Sequence, residues 1–176
     1  MDPYRNSARV PQRYATPATT RLALYFVAAC CLAIGLARVA AAGNWEISSA
    51  PRGGKKICLM VSAKQQVNDG YQVVEAQIIV DERSVIVKSE SVLDPGFSDI
   101  GLVVDKKPFI PVDEIRKRKQ AVFEKAYADI VQLFKDGREV RVQLRFWPTW
   151  PETGTHSVSF SLMGFTKVHG EAAKCE

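Results

Sequence analysis

The sequence predicts a mainly β protein: a small antiparallel β-sandwich or barrel with one packed amphipathic helix, preceded by an N-terminal hydrophobic helix. Three observations predict this fold class. Residues 22–37 are an uncharged apolar run that follows an arginine-rich start. Short apolar segments, several with two-residue alternation, recur between residues 45 and 162. Residues 111–135 instead carry apolar side chains at helical spacing.

The first 42 residues have the layout of a secretory signal peptide, with a basic region (1–21) and an apolar region (22–42). Ala40 and Ala42 fit the small positions of a cleavage site before Gly43. The alternative is an uncleaved membrane anchor, because a helix over 22–42 could cross a bilayer whose apolar core is about 30 Å thick. The arginine-rich side would then stay in the cytoplasm. Both interpretations place the rest of the chain outside the cytoplasm.

Lipidation is a third interpretation of the leader, because Val27-Ala28-Ala29-Cys30 resembles a bacterial lipobox. The apolar run continues past Cys30, however, and Cys30 and Cys31 can equally be small apolar residues of that run.

The charge distribution argues against nucleic acid as a partner. The chain has 24 Lys and Arg residues and 19 Asp and Glu residues, a formal charge of +5. The leader contributes four of these charges, because it holds Asp2 and the arginines Arg5, Arg9, Arg13, Arg21 and Arg38. The exported part is therefore close to neutral, whereas a domain that binds nucleic-acid phosphates usually carries a clustered basic excess.

Seven strands are predicted in the exported part. They cover residues 45–48, 57–63, 72–80, 85–87, 100–104, 140–146 and 157–162. The turn at 81–83 joins the third and fourth strands into a hairpin. Apolar and polar residues alternate in the last two strands, which indicates a sheet with one solvated face.

One helix is predicted, from Pro111 to Lys135. Its apolar residues fall on one face at helical spacing: Ile115, Val122, Phe123, Ala126, Tyr127, Ile130, Val131 and Phe134. Asp113 and Glu114 suit the N-terminal end of the helix dipole, and Gly137 suits the C-terminal end. We expect this helix to pack on the sheet.

Cys58 and Cys175 are the only cysteines of the exported part. An oxidising compartment would favour a disulfide between them, which would tie the C-terminal tail to an early strand. The alternatives are two free thiols or disulfides to other chains.

Four consecutive cations, Arg116, Lys117, Arg118 and Lys119, lie in the first turns of the predicted helix. Cations at a helix N-terminus oppose the helix dipole, and such a broken local rule can mark a functional site. The hypothesis is an anion-binding or membrane-facing patch. The alternative is that the helix extends past the core and the four side chains are simply solvated.

Two tryptophans and two prolines connect the last two predicted strands, in the run Phe146-Trp147-Pro148-Thr149-Trp150-Pro151. Stiff aromatic connections of this kind can stack sugars or dock protein partners, so Trp147 and Trp150 are candidate binding residues. The alternative is a loop that folds over the end of the core.

The exported part contains no recognisable catalytic or metal-binding motif. His156 and His169 are its only histidines, and neither has partners at a catalytic or metal-binding spacing. The common nucleophile, phosphate-binding, dinucleotide-binding and zinc motifs do not occur in its sequence. We therefore expect no enzyme, no cofactor and no metal site.

Several motifs together resemble the invasion-associated locus B family of exported bacterial proteins. They are Asn44-Trp45 directly after the leader, Lys56-Ile57-Cys58-Leu59-Met60, a helix ended by glycine, and Ser161-Leu162-Met163-Gly164-Phe165. The resemblance spans most of residues 44–168, although residues 104–112 lack the cysteine pair that family members usually carry. It implies a non-catalytic periplasmic β-sandwich.

These observations predict a non-enzymatic β-domain in the bacterial periplasm that binds a protein or another component of the envelope. The alternative is a single-span accessory subunit of an inner-membrane protein complex, with its C-terminal domain in the periplasm. Retention of residues 22–42, which would then contact the membrane, distinguishes the second hypothesis from the first.

Overall fold

The computed structural model describes residues 44–148 and 154–175, which form eleven strands and two helices. The strands are β1 (Trp45–Arg52), β2 (Lys55–Ser62), β3 (Gln65–Asn68), β4 (Val73–Val80), β5 (Val85–Ser89), β6 (Gly101–Val104), β7 (Ile110–Pro111), β8 (Glu114–Arg116), β9 (Gln120–Phe123), β10 (Glu139–Leu144) and β11 (His156–Ser161). The helices are α1 (Tyr127–Asp136) and α2 (Phe165–Ala172). The predicted N-terminal hydrophobic helix and its cleavage site lie outside the described residues.

The strands form two antiparallel sheets. The first sheet has the order β1-β2-β4-β5-β9-β8, and β3 also pairs with β4. The second sheet has the order β11-β10-β6-β7. Apolar side chains from both sheets form one core. The predicted fold class, an antiparallel β-sandwich with a packed helix, is confirmed.

The predicted two-residue alternation matches the burial of the long strands. In β4 and β10 every second side chain is buried, and those between are half-buried or exposed. The buried side chains are those of Val74, Ala76, Ile78, Val80, Val140, Val142 and Leu144. Burial on one face fixes the register of each strand, since a shift by one residue would expose every one of them.

An aromatic cluster joins both helices to the first strand. The ring of Trp45 lies 6.0 Å from that of Phe134 on α1 and 4.8 Å from that of Phe165 on α2, between ring centroids. The rings of Phe134 and Phe165 are 5.3 Å apart and nearly perpendicular. Because all three side chains are buried, this cluster holds the N-terminal strand against the two helices.

The prediction of a helix from Pro111 to Lys135 is wrong over its first half. Residues 110–123 contain β7, β8 and β9, and α1 begins only at Tyr127. The last three residues of β9 are all buried, so the sequence there is a continuous apolar run that suits a helix as well as a strand. Pairing with β5 on one side and β8 on the other selects the strand.

The second helix, α2, was not predicted. It is eight residues long and buries Phe165 and Val168, which is too short a pattern to stand out as helical in the sequence. Gly164 precedes it with a φ of 92°, a conformation that glycine adopts at little cost. Among residues 44–148 and 154–175, no helix is long and apolar enough to cross a membrane.

Candidate binding surface at one end of the sandwich

The four consecutive cations were predicted in the first turns of a helix, and this prediction is wrong. They lie at the tip of the β8–β9 hairpin. Arg116 ends β8, and the N–H of Lys119 donates to the carbonyl O of Arg116 at 3.1 Å. Lys117 and Arg118 have φ angles of 52° and 58°, in the left-handed region that two-residue hairpin turns require. The pairing of β8 with β9 therefore directs these cations outward, and the last three of them are exposed.

Arg116 differs from the three cations that follow it. Its guanidinium forms ion pairs with Glu114 and, at 2.9 Å, with Glu124. The hydrogen bond to Glu124, together with the charges of both carboxylates, raises the pKa of Arg116. Within the described parts of the chain, the other three cations form no ion pair. These three, Lys117, Arg118 and Lys119, are called the cationic tip below.

Trp147 lies just beyond β10 and is 55% exposed. The backbone N–H of Trp147 donates to the carbonyl O of Val92 at 2.8 Å, which fixes the backbone at this position. Tyr71 is also 55% exposed, and its hydroxyl donates to the carbonyl O of Pro148 at 3.3 Å. The structure thus places the half-exposed Tyr71 side chain against the residue that directly follows the half-exposed Trp147.

One peptide unit connects the cationic tip to Trp147. Its N–H, from Leu93, donates to the carbonyl O of Arg118 at 2.7 Å, and its C=O, from Val92, accepts the N–H of Trp147. The N–H and C=O of a trans peptide unit point in opposite directions. The backbones on its two sides are therefore about 10 Å apart, twice the spacing of paired strands. Two features that were predicted separately lie at the same end of the domain.

Asp69 positions the turn that presents Tyr71. Its buried carboxylate accepts the N–H groups of Tyr71 and Gln72, at 2.9 and 2.8 Å, and the hydroxyl of Ser91 at 2.6 Å. Burial alone would raise the pKa of Asp69, but the hydrogen bonds from Ser91, Gln72 and Tyr71 outweigh burial and lower it. Because Ser91 directly precedes Val92, the Tyr71 turn is fixed to the segment that connects Trp147 and the cationic tip.

Arg145 lies two residues before Trp147, but its guanidinium is already paired with a carboxylate. Its guanidinium forms an ion pair with Asp99 at 2.8 Å and stacks over the ring of Phe97, 4.5 Å from the ring centroid. The hydroxyl of Thr155 donates to the same carboxylate. The hydrogen bond from Arg145 is the main reason that the pKa of Asp99 is lowered. This pair stabilises the end of the second sheet and adds no free charge to the surface.

Three residues of this surface were not predicted: Asp69, Tyr71 and Val73. The run Asn68-Asp69-Gly70 is a turn signal that could have indicated a tight connection between two strands. The sequence does not show, however, that Tyr71 and Val73 remain exposed, the latter at 62%. Trp150, the second tryptophan of the predicted aromatic rim, lies outside the described residues.

Cys58 and Cys175 form the predicted disulfide, with their Cα atoms 6.1 Å apart. The bond ties the segment beyond α2 to β2.

Beside the disulfide lies a cavity of about 140 Å³ that includes Tyr127 and His169 in its lining. Burial lowers the pKa of His169, which favours the neutral imidazole. Within the described ranges, no group of three or more side chains is arranged to hold a metal ion.

No family model matches the sequence, and no curated protein matches it either. Among solved structures, the chain is similar to invasion-associated protein B from Bartonella henselae, with a TM-score of 0.48 and 21% sequence identity. The superposition covers 76% of this chain and 92% of that protein.

Proposed function

We propose that residues 43–176 act in the bacterial envelope as a non-catalytic β-domain that binds a protein or another envelope component. One observation carries the proposal: Tyr71 and Trp147, each 55% exposed, lie at the same end of the domain, where the Tyr71 hydroxyl donates to the carbonyl O of Pro148, the residue after Trp147. Aromatic side chains dominate the energetics of many interfaces. The hydrogen bonds of the Tyr71 hydroxyl and of the Trp147 backbone N–H restrain these two positions before binding, which reduces the conformational entropy lost when a partner docks.

Two features support a location in the periplasm or on the periplasmic side of the inner membrane. The first is the leader, whose basic and apolar regions are those of an export signal or an anchor. The second is the disulfide between Cys58 and Cys175, because disulfides form and persist in oxidising compartments. These features favour export whether or not residues 1–42 are retained.

We further propose that the chain is a member of the invasion-associated locus B family. Two of the motifs that carry the resemblance contact each other in the fold. The indole Nε1–H of Trp45 donates to the carbonyl O of Ser161 at 2.9 Å, and its ring packs edge-on against Phe165. The two motifs therefore belong to the same part of the core.

Photo-cross-linking in growing cells tests the proposed function. A photoreactive amino acid replaces Val73, which is 62% exposed beside Tyr71, in the full-length chain. We expect a discrete cross-linked adduct in the envelope fraction, because this position borders the proposed docking surface. The intact mass of the chain from the same fraction shows whether it begins near Gly43 or retains the leader.

The matched control replaces Met163, which is 68% exposed but lies beyond the opposite end of β11. That position is about 20 Å from the first residue of β11, His156, whose ring lies 5.4 Å from that of Phe146. Equal adducts from positions 73 and 163, or none from position 73, would contradict docking at this end of the domain.

A further inference from the structure

We infer that the end of the domain that carries the cationic tip, Tyr71 and Trp147 binds the surface of an anionic lipid bilayer. The inference rests on the proposed function, because it names the partner of the same surface. Neither the cations nor the aromatic residues would suffice alone. Their juxtaposition through the peptide unit of Val92 and Leu93 is what the structure adds.

The first argument is charge. The cationic tip presents three exposed side chains that form no ion pair within residues 44–148 and 154–175, although the exported part as a whole is close to neutral. Arg116 offsets one of the two negative charges of Glu114 and Glu124, so the hairpin from Glu114 to Glu124 keeps a net charge of +2. Asp99 is paired with Arg145, whereas the buried carboxylate of Asp69 adds one negative charge near Tyr71. The positive charge is therefore concentrated where an anionic surface could meet it.

Two further charged groups lie near the tip and offset each other. Lys88 is exposed on β5, and its Cα is paired with that of Gln120 directly after the tip. Glu90 is exposed two residues later, and its carboxylate accepts the N–H of Glu75. Because the charges of Lys88 and Glu90 cancel, they do not change the net positive charge of the hairpin that carries the tip.

The second argument is the chemistry of the exposed rings. Trp and Tyr are enriched at the membrane–water interface, because each has an apolar ring and a polar group that prefers the headgroup level. Val73 adds an exposed aliphatic side chain beside Tyr71. Interfacial cations flanking a small apolar and aromatic patch are the combination with which peripheral proteins bind anionic membranes.

The third argument is local stability. Hairpin turns whose two central residues have positive φ favour Asn and Gly, because other L residues are strained there. This chain has Lys117 and Arg118 at those positions. A charged pair kept at an unfavourable conformation on an exposed turn is typical of a site selected for binding and not for stability.

The experiment measures membrane contact at the surface itself, since residues 22–42 could insert into any bilayer if they are retained. An environment-sensitive fluorescent amino acid replaces Val73 in the full-length, disulfide-bonded chain. Vesicles contain phosphatidylcholine alone or phosphatidylcholine with phosphatidylglycerol. We expect a blue-shifted emission, quenched by lipid-borne quenchers, with the anionic vesicles only, and we expect high salt to reverse it.

Two triple variants with the same change in net charge provide the control. The first, Lys117→Gln with Arg118→Gln and Lys119→Gln, should weaken this contact roughly 100-fold, from about fivefold per cation. The second removes three exposed cations at the other end of the domain, Lys106→Gln, Lys107→Gln and Arg138→Gln, and should leave it unchanged. The double variant Tyr71→Ala with Trp147→Ala should abolish the blue shift with little loss of stability, because both side chains are half-exposed.

Equal signals on neutral and anionic vesicles, or equal losses in the two triple variants, would overturn the inference. Absence of any vesicle signal would also overturn it. If position 73 still cross-links to an envelope protein in that case, the proposed function stands with a protein partner. If it does not, both fail.

Discussion

Asp81 shows how a single buried carboxylate organises a turn of this domain. It follows β4, and its Oδ1 accepts the N–H of Arg83 at 2.9 Å and both the N–H and the hydroxyl of Ser84. Its Oδ2 accepts Arg52 Nη2 at 2.7 Å, from the end of β1. Burial alone would raise the pKa of Asp81, but the hydrogen bonds from Arg83, Arg52 and Ser84 outweigh burial and lower it. Asp81 thereby joins the β4–β5 turn to the first strand.

Substitution of Asp81→Asn should destabilise the domain by about 2 kcal/mol at neutral pH, because a buried acceptor of charge-assisted hydrogen bonds is lost. The pH dependence has a definite sign. Since the folded-state pKa lies below the unfolded value of about 3.9, the contribution is complete above that value and is lost as the pH falls through the folded-state pKa. Urea unfolding at pH 7 and pH 3 measures both effects.

The exposed neighbour of Asp81 supplies the control for this prediction. Glu82→Gln should unfold at nearly the wild-type urea concentration at both pH values. If Asp81→Asn loses as much stability between pH 7 and pH 3 as the wild-type protein does, then Asp81 is not a source of the acid sensitivity.

The elements of the second sheet were the easiest to predict from the sequence. β10 and β11 have one solvated face, so polar and apolar residues alternate along them. The disulfide, which joins β2 of the first sheet to the C-terminal end, was also predicted, because residues 43–176 contain only two cysteines. The helix from Pro111 was wrong because β9 is covered on both faces, and a strand of that kind carries no alternation. Its pairing with β8 is a local hairpin, but its pairing with β5 connects residues that are distant in sequence, and the two pairings together decide its conformation.

The candidate surface could be predicted only in pieces. Arg116–Lys119 and Trp147 stand out in the sequence as a charge run and an aromatic connection. They are brought together by backbone hydrogen bonds of Val92 and Leu93, and backbone groups are the same in every residue. No side-chain pattern could therefore have shown that the two features share one end of the domain. The bond from the Tyr71 hydroxyl to Pro148 was hidden because its acceptor is a backbone carbonyl.

The β8–β9 hairpin yields a prediction at the scale of the element. Arg118→Gly should raise the free energy of unfolding by about 1 kcal/mol, because glycine adopts a φ near the observed 58° without strain. The change also removes a cation of the tip, so stability should rise while membrane contact weakens. Chemical denaturation measured beside the vesicle assay records both effects.

Glycine at a neighbouring position tests the reason for that gain. Lys119→Gly removes the same charge, but among the described residues only Lys117, Arg118 and Asp105 combine a side chain with positive φ. The Lys119 variant should therefore be no more stable than wild type, and a gain equal to that of Arg118→Gly would show that relief of charge repulsion, and not of strain, is responsible.

The disulfide joins Cys58 and Cys175, which are 117 positions apart in the sequence, and so closes a long loop of the chain. In the chain-entropy description, a loop of this length stabilises the folded state by about 4–5 kcal/mol at most. Reduction should therefore lower the urea midpoint substantially, as should the double variant Cys58→Ser with Cys175→Ser. Tryptophan fluorescence during urea titration, with and without reductant, measures the loss.

The double variant separates the role of the bond from other effects of the reductant. Its midpoint should not respond to reductant, since residues 43–176 then contain no cysteine. An unchanged midpoint in the reduced wild-type protein would mean that the aromatic cluster and α2 hold the C-terminal end in place without the bond.

The same long-range closure sets the order in which the chain can fold during its synthesis. Trp45 is among the first residues of the domain to leave the ribosome, whereas its ring partners Phe134 and Phe165 are made some 90 and 120 residues later. The aromatic cluster cannot form before residue 165 is made, and the disulfide cannot form before residue 175 is made. The core and the disulfide of such a chain cannot be completed before residue 175 has been made. If the chain is exported as proposed, this delay leaves time to thread it through a membrane channel before it folds.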